Sequence, residues 1–376
     1  MSKRYARFIT IFFCAFLAVF LVANLVLPDR QFSPEENRYL AQRPELTLES
    51  ITDDEGTFMT DFEDYHSDQF AGRDFWIGLK AWGERLTGKQ ENNGVYFGTD
   101  GAQTLFAQFT SPSQEDMAQR LSYVNALGEN VDVPVYFALI PGKVTVWSDL
   151  LPAGAPLADE SGALEQAAGS CVSVEWIDLV TPLMEHKDEY VFYRTDHHWT
   201  TLGAYYGYLA LMEGMGLEPL EFTGTPQLVS DSFLGTTYSA AGAKWVKPDE
   251  MYRWIPDDGV KVTSYFTGMP EEGSLYVDSY LEEKDKYSSF LGGVQPLCVV
   301  ETEHTDAPKL LLVRDSYSDC LTPFLTQNFS EIHLFDLRNN NMSLSAYVEE
   351  NQIDQVLVLY STANFTTDGN LFKMGI

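Results

Sequence analysis

Twenty consecutive residues, Phe8 to Leu27, carry no charge. As a helix they span about 30 Å, the thickness of a bilayer's hydrocarbon core. Lys3, Arg4 and Arg7 precede the run, and no acidic residue occurs before Asp29. Positive charge on the N-terminal flank predicts a cytoplasmic N-terminus, with everything after Pro28 on the far side of the cell membrane. A cleaved signal peptide is the alternative. Its apolar region is usually only about 7–15 residues, with small residues before the cut, and Leu21-Val22-Ala23 matches that weakly. Both readings put the body of the chain outside the membrane. The expected organisation is a tip and single-pass anchor over 1–28, a polar, proline-containing stalk over 29–57, and an extracellular domain over 58–376.

The chain sets 55 acidic residues against 24 basic ones, a net charge of −31. That field repels a phosphate backbone and argues against a nucleic-acid partner. With 45% hydrophobic and 21% charged residues the chain is of folded, not disordered, type. Cys14 lies in the apolar run, leaving Cys171, Cys298 and Cys320 beyond it. Three cysteines allow at most one disulfide, and no Cys-x-x-Cys pair suggests a zinc ribbon.

Phe58, Phe62, Tyr65, Phe75, Leu79, Trp82 and Leu86 recur at helical spacing and predict an amphipathic stripe facing a core. Asn93-Gly94 and Asp100-Gly101 bracket a short hairpin at Val95–Phe97. An α/β rhythm follows: a helix over 114–130, a strand over 134–140, a strand over 173–179, an extended run over 190–194, and a helix over 200–215. Residues 222–306 lose the rhythm and read as an irregular or β insertion, with strand-like pieces at 274–277 and 297–300. Strands return at 309–313, 331–335 and 354–359, separated by helical stretches, the second of them capped by Ser343. Short apolar strands alternating with helices predict a mostly parallel sheet covered on both faces.

Ligands bind such sheets at the carboxyl ends of the strands. Three polar clusters fall there: Thr195–Trp199, Asp315–Ser318 and Ser361–Asn364. Ser316 follows an apolar strand and opens a helix, where free N–H groups suit a nucleophile as well as an ordinary cap. Asp196 and His198 stand two apart in an extended segment, so they project to one side and His197 to the other. A carboxylate that orients an imidazole makes it a general base. Asp-His-His also admits a metal reading, but no further His or Cys cluster supplies ligands; His66, His186, His304 and His333 stand singly. Asn364 ends the last strand, where its amide could donate to an oxyanion or simply form a turn.

Together these segments resemble the DHHW family, SGNH-hydrolase-like proteins related to alginate O-acetyltransferases. The resemblance rests on Phe32–Leu40 (FSPEENRYL), Asp68-Gln69-Phe70 with Gly72-Arg73-Asp74, Pro141 and Lys143, Thr195–Thr200 (TDHHWT) with Gly203-Ala204, and Asp315-Ser316-Tyr317. It implies a flavodoxin-like, three-layer sheet with permuted block order, the Asp-His block preceding the serine block. It also implies a triad of Ser316 as nucleophile, His198 as base and Asp196 as its orienter, with Asn364 at the oxyanion hole and no metal or cofactor. One departure is Arg314, two residues before the serine, where many SGNH hydrolases have glycine. The expected activity is O-acyl, most simply O-acetyl, transfer or hydrolysis on a cell-surface polysaccharide, with a membrane acyl-transporting protein as donor. The rivals are a non-catalytic glycan-binding or envelope-assembly protein on the same fold, and a DHH-type metal phosphodiesterase, whose additional Asp-rich motifs are missing. The geometry expected of the triad has His198, not His197, facing Ser316.

Overall fold

The computed structural model describes residues 3–36, 38–47, 50, 57–101, 103–220, 226–256 and 259–376. Asn37 of the FSPEENRYL segment, parts of the expected stalk, and 222–225 and 257–258 of the expected insertion lie outside the described residues. The chain divides into two units. One runs to Lys89 and includes Gly242–Lys244; the other holds Gln90–Ala241 and Trp245–Ile376.

In the first unit, Lys3–Val26 is one helix with no buried residue, long and apolar enough to cross a membrane. It does not stand wholly apart. The Phe20 ring stacks on Phe70 and packs against Trp76, and the Asn24 side chain accepts from the Ala71 N–H at 2.7 Å. The segment expected to be a stalk is also tied down. Phe32–Ser33 pairs with Arg38–Tyr39, and the Arg38 guanidinium forks onto Asp68 while Arg73 reaches Glu36 and Arg30 reaches Asp74. Polar composition reads as a linker only when the charges are solvated, and these are matched. Helices Thr57–Asp68 and Arg73–Leu86 meet at a corner where Gly72 has φ +71°. Their aromatic stripe does not form a core face: Phe62, Phe75, Leu79, Trp82 and Leu86 are all exposed. Helical periodicity reports that one face is apolar, not what covers it.

In the second unit, Asn93 (φ 51°) and Gly94 (φ 77°) form the left-handed pair of a two-residue hairpin turn. The hairpin gains a third strand, Leu105–Ala107. The main sheet has eight strands among the described residues: β1 Val135–Ile140, β2 Glu175–Trp176, β3 Lys261–Ser264, β4 Glu271–Glu272, β5 Leu297–Glu301, β6 Lys309–Arg314, β7 Glu331–Phe335 and β8 Gln355–Ser361. Their order is β4-β3-β5-β7-β6-β8-β1-β2. From β7 to β2 all neighbours are parallel, and β5, β3 and β4 are added antiparallel. The expected insertion is therefore partly structural: three of its strands extend the sheet, and Pro226–Phe233 pairs separately with Asp249–Trp254. Residues 274–277 do not form the expected strand and contribute only a single bridge, Tyr276 to Phe290.

Strand alternation builds two cores. Tyr136, Ala138, Leu310, Leu312, Leu357 and Leu359 face helices Thr201–Gly214 and Ser318–Leu325. Phe137, Leu139, Leu311, Val313, Val356 and Val358 face helices Gln114–Asn130, Glu160–Gly169 and Leu344–Asn351. A strand buried on both faces must be apolar at every position, which is why VYFALI and LLLV read as continuous runs. Cys14, Cys171, Cys298 and Cys320 are all free thiols.

Candidate active site

The register pairs Val313 with Val358 and Ser361 with Ile140, so β6, β8 and β1 end at one edge of the sheet. Asp315 joins two of these ends. Its Oδ2 accepts from the Ser361 N–H, the Ser361 hydroxyl and the Asn364 amide, each at 2.8 Å, and its Oδ1 accepts from the Tyr317 N–H at 3.0 Å. Ser316 is thereby held between a fully engaged carboxylate and the helix beginning at Ser318.

The Asp-His block arrives on a tight reversal. Phe192 bridges Trp199, and the Thr200 N–H donates to Val191 O. Asp249, from the Asp249–Trp254 strand, accepts from the Arg194 N–H, the Thr195 N–H and the Thr195 hydroxyl and so fixes the loop. Lys143, buried after β1, donates to Tyr193 O at 3.0 Å and Arg194 O at 3.2 Å. Burial pushes its amine down to about 8, against the attraction of Asp249 and Asp196.

Asp196 is buried with four donors. Oδ1 takes His198 Nδ1 at 2.5 Å and the His198 N–H at 3.0 Å; Oδ2 takes the Thr236 N–H at 2.8 Å and the Thr236 hydroxyl at 3.0 Å. Burial opposes its charge, but the adjacent His197 and His198 and these hydrogen bonds hold the carboxyl well below its ordinary range. An ionised carboxylate only accepts, so His198 carries its proton on Nδ1 and offers a lone pair at Nε2. Ser316 Oγ lies 2.8 Å from that nitrogen and donates to it. His197 does not face Ser316, but neither does it project to the opposite side as expected: the segment bends here, its ring lies 3.9 Å from that of His198 between centroids, and its Nδ1 lies 2.7 Å from the Thr236 hydroxyl and 3.6 Å from Asp196 Oδ1. The room is tight: a Cβ on Gly235 would lie 2.2 Å from Asp196 Oδ2, so only glycine fits there.

Tyr287 closes the imidazole from the other side. Its ring lies parallel to His198 at 3.7 Å between centroids, and its hydroxyl donates to Ser316 O at 3.1 Å. Tyr317 donates to His197 O, and the Trp199 indole donates to Tyr317 O at 2.9 Å. Arg314, two residues before the serine, is fully buried, with Nη1 2.5 Å from Asp319 and 3.3 Å from Asp315 O. It braces the chain beneath Ser316 and does not obstruct the serine hydroxyl's contact with His198.

Asn364 reaches the site edge, but one amide hydrogen is directed to Asp315. The Gly142 N–H, at the neighbouring strand end, is directed to the Glu160 carboxyl at 3.0–3.1 Å. Asp196, His197 and His198 offer ligand atoms within 4.8 Å of one another, yet Asp196 Oδ1 and both His198 nitrogens already hold hydrogen bonds. Sequence reasoning assigned no part to Asp315, Thr236, Asp249 or Tyr287. Asp315 adjoined the serine and was legible in position; Thr236, Asp249 and Tyr287 lie in the segment without rhythm, and nothing local marks them.

No curated protein matches the chain. Among solved structures, a DHHW family protein from Eubacterium siraeum is similar at 27% identity, with a TM-score of 0.66 over 76% of this chain and 95% of that one. Bacillus cereus PatB1, solved with a sulfonyl adduct, is similar at 20% identity, with a TM-score of 0.62 over 73% and 96% of the two chains. The O-acetyltransferase domain of Pseudomonas putida AlgJ aligns at 16% identity, with a TM-score of 0.48 over 73% and 93%. Residues 165–335, which carry Asp196, His198 and Ser316 alike, match the model of the DHHW protein family, and the resemblance drawn from the sequence holds over that span.

Proposed function

We propose that this chain is a membrane-anchored, extracytoplasmic O-acyltransferase or esterase that acts on cell-surface carbohydrate through Ser316, His198 and Asp196. The observation that carries the proposal is the unbroken hydrogen-bonded line from Asp196 through His198 to Ser316 Oγ at 2.5 and 2.8 Å. In this reading His198 Nε2 takes the Ser316 proton as Oγ attacks an acyl carbonyl. The imidazolium then protonates the leaving oxygen, and an acyl-serine remains. A sugar hydroxyl or water, deprotonated by the same nitrogen, attacks that ester and frees Ser316. Asp196 stabilises the imidazolium in both halves.

An acetyl group is the simplest acyl group, by resemblance to the alginate O-acetyltransferase branch, whose Asp-x-His spacing Asp196 and His198 share. In the same reading the Asp-His block precedes the serine block, a permuted SGNH-type order. Lys3–Val26 is the anchor, with Lys3, Arg4 and Arg7 cytoplasmic, and a membrane acyl-transporting protein is the donor. The domain boundaries of this reading keep 58–376 as the extracellular body.

The glycan-binding alternative draws on one observation. Gly142 and Asn364 direct hydrogens to Glu160 and Asp315, so an oxyanion has fewer preset donors. A sulfonyl fluoride separates the readings, since a sulfonyl adduct has been obtained on the Bacillus cereus protein. The full-length enzyme should label at Ser316 and release acetate from acetylated oligosaccharides, and Ser316→Ala should do neither. Glycan binding retained without labelling or ester turnover would favour the alternative.

A further inference from the structure

We infer that helix Arg73–Leu86 lies in the outer interface of the bilayer, with Phe75, Leu79, Trp82 and Leu86 set among lipid. The inference rests on reading Lys3–Val26 as a membrane span, and not on any catalytic activity.

The helix carries its large apolar side chains on its exposed face. Phe75, Leu79, Trp82 and Leu86 are 64%, 49%, 42% and 81% exposed, while Gly78 and Ala81 are the buried positions. That is the reverse of a helix packed on a protein core. The four residues are spaced four, three and four apart, so they form one stripe about 16 Å long. An apolar stripe of this kind on a chain of net charge −31 needs a cover other than water.

The span identifies that cover. Phe20 meets Phe70 and Trp76 with ring centroids 5.5 and 5.7 Å apart, and Asn24 accepts from Ala71. Phe20 lies six residues before the helix end at Val26, about 9 Å along the axis. The start of helix Arg73–Leu86 is therefore held below the outer end of the span. That depth matches the roughly 5–10 Å to which interfacial helices sink their apolar faces. A span's neighbours at that level are lipid. Tryptophan favours this level, and Arg85 sits 5.7 Å over the Trp82 ring, where its charge can reach water.

Charge separates this helix from the one before it. Thr57–Asp68 bears Asp61, Glu63, Asp64 and Asp68 and no lysine or arginine, whereas Arg73–Leu86 bears Arg73, Lys80 and Arg85 against Asp74 and Glu84. The interfacial helix would thus set the height of the chain's first unit at the membrane surface.

The test uses the full chain in lipid nanodiscs, with Cys14 and Cys171 replaced by serine and the buried Cys298 and Cys320 retained. Nitroxide labels are placed in turn on Leu79→Cys, Leu86→Cys and Lys80→Cys, all at exposed positions. Relaxation by oxygen reports lipid and relaxation by a nickel chelate reports water. The labels at 79 and 86 should respond several-fold more to oxygen relative to nickel than the label at 80, which lies about 100° round the helix from Leu79. Equal, nickel-dominated access at all three sites overturns the inference. Loss of access to both reagents at 79 and 86, with a doubled particle mass, overturns it in favour of a second copy of the chain. Neither result bears on Ser316 labelling, so the failure of this inference and of the catalytic one are distinguishable.

Discussion

Asp196→Asn tests the candidate site at its most loaded atom pair. The carboxylate accepts four hydrogen bonds, two from His198 on Oδ1 and two from Thr236 on Oδ2. An asparagine has one accepting oxygen. Its better placement keeps that oxygen on His198 and turns the NH2 group to Thr236. The Thr236 hydroxyl can rotate to accept, but the Thr236 N–H cannot and loses its partner. That loss costs about 1–2 kcal/mol of stability, because the group is only part-buried. The rate should suffer more. Both His198 donors lose an ionised acceptor just when the ring becomes an imidazolium, and hydrogen bonds to charged groups contribute about 1.5–3 kcal/mol each against about 1 for neutral ones. With the lost attraction between the two charges, the barrier should rise by about 3–5 kcal/mol, roughly 10²–10⁴ in kcat. Thr236→Val provides the scale, because it removes one of the four donors and should cost about 1 kcal/mol, roughly fivefold. Hydrolysis of p-nitrophenyl acetate by the full-length protein, with kcat and KM separated and melting followed in parallel, reads all three proteins. An Asp196→Asn variant that melts normally and keeps kcat within tenfold of the parent would refute the assigned role of Asp196.

Tyr287→Phe keeps the ring over His198 and loses the hydroxyl's bonds to Ser316 O and Cys320 Sγ, so kcat should fall roughly fivefold with KM unchanged. Tyr287→Leu also loses the stack and should cost about 1 kcal/mol more; equal rates for the two variants would show that the ring does not position the imidazole. Glu160 supplies a pH signature. Burial raises its carboxyl to about 7, against hydrogen bonds from Thr145 and Gly142, while the unfolded chain ionises near 4.5. Folding therefore takes up a proton between those pH values, and the stability from this group is full below the lower one and lost as pH rises to the upper one, by up to about 3 kcal/mol. Glu160→Gln should flatten that fall in urea titrations between pH 4.5 and 7, and an unchanged slope would mean Glu160 is ionised in the folded protein.

The parts of this molecule legible in its sequence are those where one local rule decides. β1, β6 and β8 are buried on both faces, so their central residues are continuous apolar runs (VYFALI, LLLV, VLVLY) that stand out, and β7 breaks its run only at His333. Strand alternation does not explain the contact of Asp196 with His198, because the chain bends through 194–198 and the His198 N–H itself donates to Asp196. The Phe75–Leu86 stripe is a different case: its period is plain, but the same period fits a protein core and a lipid surface, and only the position of Phe20 against Phe70 and Trp76 separates them. What completes the candidate site is less legible still. Thr236 reaches Asp196 from 40 residues away, Asp249 reaches Thr195 from 54, and Tyr287 reaches Ser316 from 29. Asp249 does stand on the buried face of its strand with Met251 and Arg253, but a charged residue at such a position reads from sequence as exposed, and neither Thr236 nor Tyr287 is placed by a strand. Each is placed by the tertiary closure of a segment whose composition is that of an ordinary loop. The proposed Ser316–His198 pair can thus be read from two short motifs, while Thr236, Asp249 and Tyr287 around it come from a segment whose only local marker is a glycine: Gly235, which must lack a Cβ so that Asp196 can sit against the chain next to Thr236. A glycine followed by a hydroxyl residue is too common a pair to single out, so the support around Asp196 becomes visible only once the chain has folded.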